Sequence, residues 1–164
     1  MSVLPIVTGA DTPVLRAKTK RVGKVTKETL ALIKDMEATV KKADGLGLAA
    51  PQIDQSIRLC IAKIGGRGGK LTALIDPDIL MKSQETDVAE EGCLSLPGLW
   101  KNVRRSTSIV VQFTDKKGNR EERKLEGIDA RVVQHEVDHL EGVLIVDYDV
   151  EATPVVAAGP METI

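Results

Sequence analysis

The sequence predicts a single α+β domain in which small, mainly antiparallel sheets pack around one central helix. Three observations carry that expectation. Two segments far apart in the chain have the apolar spacing of helices, and the runs between them alternate and pair as hairpins across short polar or glycine-rich turns. The length of 164 residues, 42% apolar and 29% charged, suits one domain with a real core. The domain is expected over 1–149, with 150–164, which carries Pro154, Gly159 and Pro160 without periodicity, as a loose tail.

The elements follow in order. Residues 3–25 hold turn formers (Gly9, Asp11, Pro13) and no sustained period, and read as an arm with short structured pieces. Thr26 is placed to cap a helix over 27–42, with Val25 available to meet Leu30. Leu30, Ile33, Met36 and Val40 form its apolar stripe, Asp44-Gly45 closes it, and Lys34, Lys41 and Lys42 fall on a solvated face. After a run of small residues come strand patterns at 58–64 and 71–75, joined through Gly65-Gly66-Arg67-Gly68-Gly69. That loop lacks the Lys-Ser/Thr of a phosphate-binding loop and reads as a hairpin connection. Pro77 is expected to interrupt the chain, with a strand resuming at 79–82. Residues 108–114 alternate and are β-branched, 115–119 is a charged turn, and 121–125 returns as the partner strand. A second helix spans 128–141 and ends at Gly142, and 143–146 reads as a buried strand.

Composition excludes several functions. Twenty-three basic against 24 acidic residues give a net charge of −1, which offers no field for gripping nucleic acid or anionic lipid. One Trp, one Tyr and one Phe are too few for a platform that stacks bases. Two Cys make no disulfide framework and suit a reduced setting. The first residues, broken by Pro5, do not resemble a targeting signal. The apolar runs fall short of the ~20 residues that cross a bilayer. A cytoplasmic protein is expected.

Both histidines of the chain lie in Gln134-His135-Glu136-Val137-Asp138-His139. Four residues apart on a helix, His135 and His139 project from one face and can share a metal ion, while Glu136 can reach a water beside it. Two imidazoles are too few for such a site, which needs three or four protein ligands. The downstream carboxylates are Glu141, Asp147, Asp149, Glu151 and Glu162; upstream stands Glu91-Gly92-Cys93-Leu94-Ser95. Its Cys93 is favoured over Cys60, which sits in an apolar strand and reads as a small buried hydrophobe, but spacing alone does not decide.

Three blocks together carry a resemblance. Gly45-Leu46-Gly47-Leu48-Ala49-Ala50-Pro51-Gln52, Glu91-Gly92-Cys93-Leu94-Ser95 and Gln134-His135-Glu136-Val137-Asp138-His139-Leu140-Glu141-Gly142 resemble the signature motifs of the peptide deformylases, in the family's order and at similar separations. The arm, with Leu4-Pro5-Ile6-Val7 and Pro13-Val14-Leu15-Arg16, is similar too, so the likeness covers about 3–149. The resemblance implies one divalent metal on Cys93, His135 and His139 with water as fourth ligand, and Glu136 as general acid/base. It implies Gln52 and the Leu94 N–H as oxyanion donors, and Gly47 as a backbone contact to substrate. Leu46, Ile128 and Val132 match or neighbour the family's methionine pocket and are implied to contact the substrate, though they are also natural core residues. Glu91 is expected to orient either the ligand loop or Gln52, close to substrate. Trp100 fits the cleft rim or simple packing.

The implied metal is Fe(II) in the cell; Zn(II), Ni(II) and Co(II) also suit a thiolate with two imidazoles. The implied reaction removes the formyl group from the formylmethionine that begins a nascent polypeptide, releasing formate. The long basic carboxy-terminal helix that many bacterial members use at the ribosome has no counterpart here. Ribosome docking by that route is therefore not expected, and short forms occur among phage-encoded members. Two other classes share features: a metallopeptidase, which has the helix but not the Cys93 block, and a binding module that keeps the metal only for structure.

Overall fold

The structure, a computed structural model, describes residues 1–149, the Arg67 side chain excepted; the expected tail lies outside the described residues. It has three α-helices, α1 (Pro13–Arg16), α2 (Lys27–Ala43) and α3 (Gly127–Leu140). Seven strands accompany them: β1 (Gly47–Ala49), β2 (Leu59–Ile64), β3 (Lys70–Lys82), β4 (Thr86–Cys93), β5 (Leu96–Ser106), β6 (Ser108–Thr114) and β7 (Arg120–Glu126). The first sheet runs β1-β2-β3-β6-β7 and the second is the hairpin β4-β5, with every pairing antiparallel. The α+β architecture expected from the sequence is the one observed.

Alternation along β2 and β3 explains the layering. Leu59, Ile61, Ala73 and Ile75 meet Ile33, Met36 and Val40 of α2. Cys60, Ala62 and Leu74 point the other way, towards Val132, Val133, Val137 and Leu140 of α3. The sheet thus lies between two helices, which is why its central strand is apolar on both faces. Thr26 and Thr29 cap α2 reciprocally, and Asp44 ends it in the left-handed region at φ 53°.

Three expectations are corrected. Pro77 does not end a strand: β3 runs through it, and pairing with β6 slips between Ile75 and Asp78. At this bulge a proline costs no ladder bond, and the Asp76 carboxylate accepts from Val22 and Gly23 N–H (2.7 and 2.8 Å), tying down the arm. The β4-β5 hairpin was not anticipated, because its strands carry charges where an apolar alternation would announce them. Residues 143–146 are not a strand. Leu144 and Ile145 are buried as expected, but against Cys93, Leu96 and Val103 and leading into a 3-10 turn, Ile145–Asp147.

That turn is clamped to α1 by a two-pronged pair, Arg16 to Asp147 at 2.6 and 3.1 Å. The hydrogen bond from Arg16 holds the Asp147 carboxyl below its usual range. The pair's stabilisation is therefore complete above the ordinary Asp pKa of ~3.9 and is lost as pH falls through the depressed value. Asp147→Asn is expected to lower the urea midpoint at pH 7, by under about 1 kcal/mol for so exposed a pair. The difference should shrink as pH falls below ~3.9, and one that stays constant as the pH is lowered would refute the assignment. No helix among the described residues is long and apolar enough to cross a membrane.

Candidate active site

Helix α3 places His135 and His139 one turn apart on its buried face, and the end of β4 brings Cys93 to them. One ligand atom from each of the three lies within 4.8 Å of the others, and Cys93 Sγ is 3.4 Å from His139 Nε2. Cys60 is not part of this group; it packs in the core beside Ala62 and Leu74. Of the alternative carboxylates, Glu141 pairs with Arg58 and Asp147 with Arg16. Glu151 and Glu162 lie outside the described residues.

Burial shapes the electrostatics. It pushes the Cys93 thiol up to about 12 and holds His139 well below the ordinary imidazole value, hence neutral. Burial, and then the charge of Glu91, raises the Glu136 carboxyl well above the usual range.

Gln52 lies in the buried 3-10 turn Ala50–Ile53 that follows β1. Its Oε1 accepts from Ala49 N–H (2.8 Å), which turns Nε2 towards Ser95 Oγ (3.1 Å) and Cys93 Sγ (3.7 Å). Gly47 lies against Glu136: a Cβ there would be 2.3 Å from Glu136 Oε1, so no other residue fits without displacing the carboxylate. Gly92 makes room for an aromatic ring. Trp100 pairs with it across the hairpin, and a Cβ would be 2.7 Å from the indole ring. Trp100 is 38% exposed. Leu94 packs its side chain against Gly45.

Glu91 is wholly buried, and the hydrogen bonds of Gln52 go to Ala49, Ser95 and Cys93 rather than to it. It accepts from His135 Nδ1 (2.8 Å), from Arg105 twice (2.9 and 3.0 Å) and from Arg131 (2.7 Å). Burial works against its charge, but the bonds from His135 and Arg105 prevail and hold it down at about 2. Because His135 donates its Nδ1–H to Glu91, Nε2 is left with the free lone pair. The expected pocket residues divide. Leu46 and Val132 meet in one apolar cluster, whereas Ile128 is 42% exposed at the start of α3.

Sequence reading missed Arg105, Arg131, Asp138 and Tyr148. Arg105 also bonds Asp138 and the Tyr148 hydroxyl, and Arg131 bonds Val103 O. Arg131 had a signal, a charge four residues before His135 on the same helix face. Arg105 had none, since its strand was not recognised.

A metal ion fits these residues. Among the described residues, five buried side-chain polar atoms lack partners, and four belong to one motif: His135 Nε2, His139 Nδ1 and both Glu136 oxygens. Such a concentration calls for a polar or ionic partner. Thiolate and two imidazoles are a donor set for transition metals, and three protein ligands leave a position open.

Two buried histidines on one helix with a carboxylate between them, joined by Cys93 from the end of β4, define a metal-dependent hydrolase. The family model described as polypeptide deformylase matches residues 3–153. The chain belongs to the peptide deformylase family and is an enzyme of that kind. A curated peptide deformylase from Pseudothermotoga lettingae is 45% identical over 135 residues, covering 82% of this chain and 77% of its own. The crystal structure of peptide deformylase from Thermotoga maritima superposes with a TM-score of 0.87 at 41% identity, over 92% of this chain and all (100%) of that one. The Ehrlichia chaffeensis enzyme, solved in complex with actinonin, gives 0.86 at 37% identity, over 92% of this chain and 91% of its own.

Proposed function

We propose that this enzyme hydrolyses the N-formyl group of formylmethionine at the start of nascent polypeptides, in the cytoplasm where chains are made, and releases formate. Cys93, His135 and His139 hold one divalent ion, Fe(II) in the cell, with Zn(II), Ni(II) or Co(II) as substitutes. The observation that carries the reading is the buried Glu136 carboxylate, unpartnered among the described residues, lying against Gly47 on the helix that carries His135 and His139.

When bound, the ion supplies a Lewis acid that makes water a nucleophile near neutral pH and polarises the formyl oxygen. Glu136 accepts a proton as the water oxygen bonds to the formyl carbon, and returns it to the amine nitrogen as the C–N bond breaks. Gln52 Nε2 and the Leu94 N–H donate to the oxyanion as its charge develops. The Ala49 N–H keeps the Gln52 amide from turning over. Gly47, on an edge strand with β2 on one side only, offers main-chain groups to the substrate backbone. Leu46 and Val132 supply an aliphatic wall for the methionine side chain.

The test is formate release from formyl-Met-Ala-Ser under reducing, anaerobic conditions with Fe(II) or Ni(II). Absence of formate from metal-loaded protein would overturn the reading, and cleavage of the Met-Ala bond instead would favour a peptidase. Gln52→Leu should lower kcat by ~10²–10³-fold, as for loss of one oxyanion donor, with little change in KM. A variant that only raises KM would move Gln52 from transition-state stabilisation to binding.

A further inference from the structure

The side chain that closes the hydrogen-bond network behind His135 comes from a segment that carries no candidate ligand. Leu144 and Ile145 are buried against Cys93, Leu96 and Val103, and the partly buried Tyr148 packs on the same cluster. Lys101 Nζ holds Val146 O at 3.1 Å, which ties the segment to β5. The 3-10 turn Ile145–Asp147 then brings the Tyr148 ring against the Arg105 guanidinium, whose carbon lies 4.8 Å from the ring centroid.

Arg105 divides its donors between two carboxylates. Nε and one terminal nitrogen grip both oxygens of Glu91 (3.0 and 2.9 Å), and Glu91 also accepts from His135 Nδ1. The other terminal nitrogen donates to Asp138 and to the Tyr148 hydroxyl (2.9 Å). That hydroxyl donates to Asp138 Oδ2 (2.6 Å), and burial holds it up at about 12, so it keeps its proton. The chain of bonds therefore leaves α3 at His135, crosses β4 and β5, and returns to α3 at Asp138.

The two ends of that circuit differ in their contact with water. The Glu91 side chain is sealed off and that of Arg105 is 3% exposed, whereas that of Asp138 is 20% exposed. Water competes for an acceptor so placed, and a guanidinium whose outer nitrogen can change partners no longer has a fixed plane. Tyr148 opposes this twice, covering the guanidinium with its ring and holding the Asp138 oxygen with its hydroxyl. We propose that Tyr148 is a positioning residue for the metal centre, acting through Arg105 and Glu91 to keep the His135 ring aimed at the ion. The inference rests on the reading of Cys93, His135 and His139 as metal ligands, whose outer partners set ring orientation and affinity.

The test is metal retention rather than turnover. Protein loaded with Co(II) under reducing, anaerobic conditions is mixed with excess EDTA well below its melting temperature, and the decay of the cobalt absorption gives the dissociation rate. Tyr148→Phe keeps the ring and removes only the hydroxyl. It is expected to release Co(II) ~3–10-fold faster than wild type, less than the ~10–100-fold typical of a partner bonded to the ligand itself. Asp147→Asn is the control, because it loosens the same turn by breaking the pair with Arg16 and has no bond to Arg105 or Glu91. It should release Co(II) at the wild-type rate. An unchanged rate in Tyr148→Phe overturns the inference. Equal acceleration in both variants overturns it too, by showing that Tyr148 only anchors the turn. Wild-type protein that takes up no Co(II) overturns instead the ligand reading on which the inference rests.

Discussion

Glu136→Gln is expected to lower kcat for deformylation by ~10²–10⁴-fold, the usual worth of a positioned acid/base, while metal content stays at one ion per chain. The amide keeps the shape of the carboxyl group beside Gly47 but cannot carry the proton from water to the amine. Nothing structural should suffer, because neither Glu136 oxygen has a hydrogen-bond partner among the described residues. Elemental analysis and a thermal melt run beside the formate assay separate the two roles. Lost turnover with unchanged metal and melting places Glu136 in the chemistry, and unchanged turnover removes it.

Glu91→Ala is expected to do the opposite, damaging stability first and metal binding with it. The carboxylate is the shared acceptor for two buried guanidiniums and for His135 Nδ1. Removing it strands Arg105 and Arg131 in the interior, a loss of ~3–5 kcal/mol for a broken buried pair. At ~2–4 °C per kcal/mol for a domain of this size, the melting temperature should fall by roughly 6–20 °C. The His135 ring also loses the bond that sets its tautomer, so metal affinity should drop by ~10–100-fold. Urea melts and a competitive metal titration read the two effects separately. A loss under about 1 kcal/mol would mean that Asp138 and Asp87, the other acceptors of these arginines, suffice alone.

These two carboxylates also mark what was legible in the sequence. Glu136 could be read because its partners are its neighbours: helical spacing alone puts His135 and His139 on one face. The same local logic gave α2, with its Thr26 cap, and the β6-β7 hairpin, whose strands and turn are contiguous. Glu91 could not be read, since its partner His135 is 44 residues away and its arginines sit on a strand and a helix that only tertiary structure brings together. The β4-β5 hairpin escaped for the same reason. Beside Val103 its inward positions include Glu91 and Arg105, whose mutual neutralisation does work that apolar alternation does elsewhere, and such pairing has no periodic signature. Pro77 misled because a proline looks like a strand breaker until a bulge is there to receive it.

The packing of Trp100 on Gly92 has a practical consequence. The chain has only this one Trp, and its indole rests on the residue next to Cys93. Emission excited at the red edge of the near ultraviolet therefore comes from a single fluorophore one residue from the thiol. A paramagnetic ion such as Fe(II), Ni(II) or Co(II) arriving at Cys93 has a built-in optical reporter, as does oxidation of that sulfur, with no label attached.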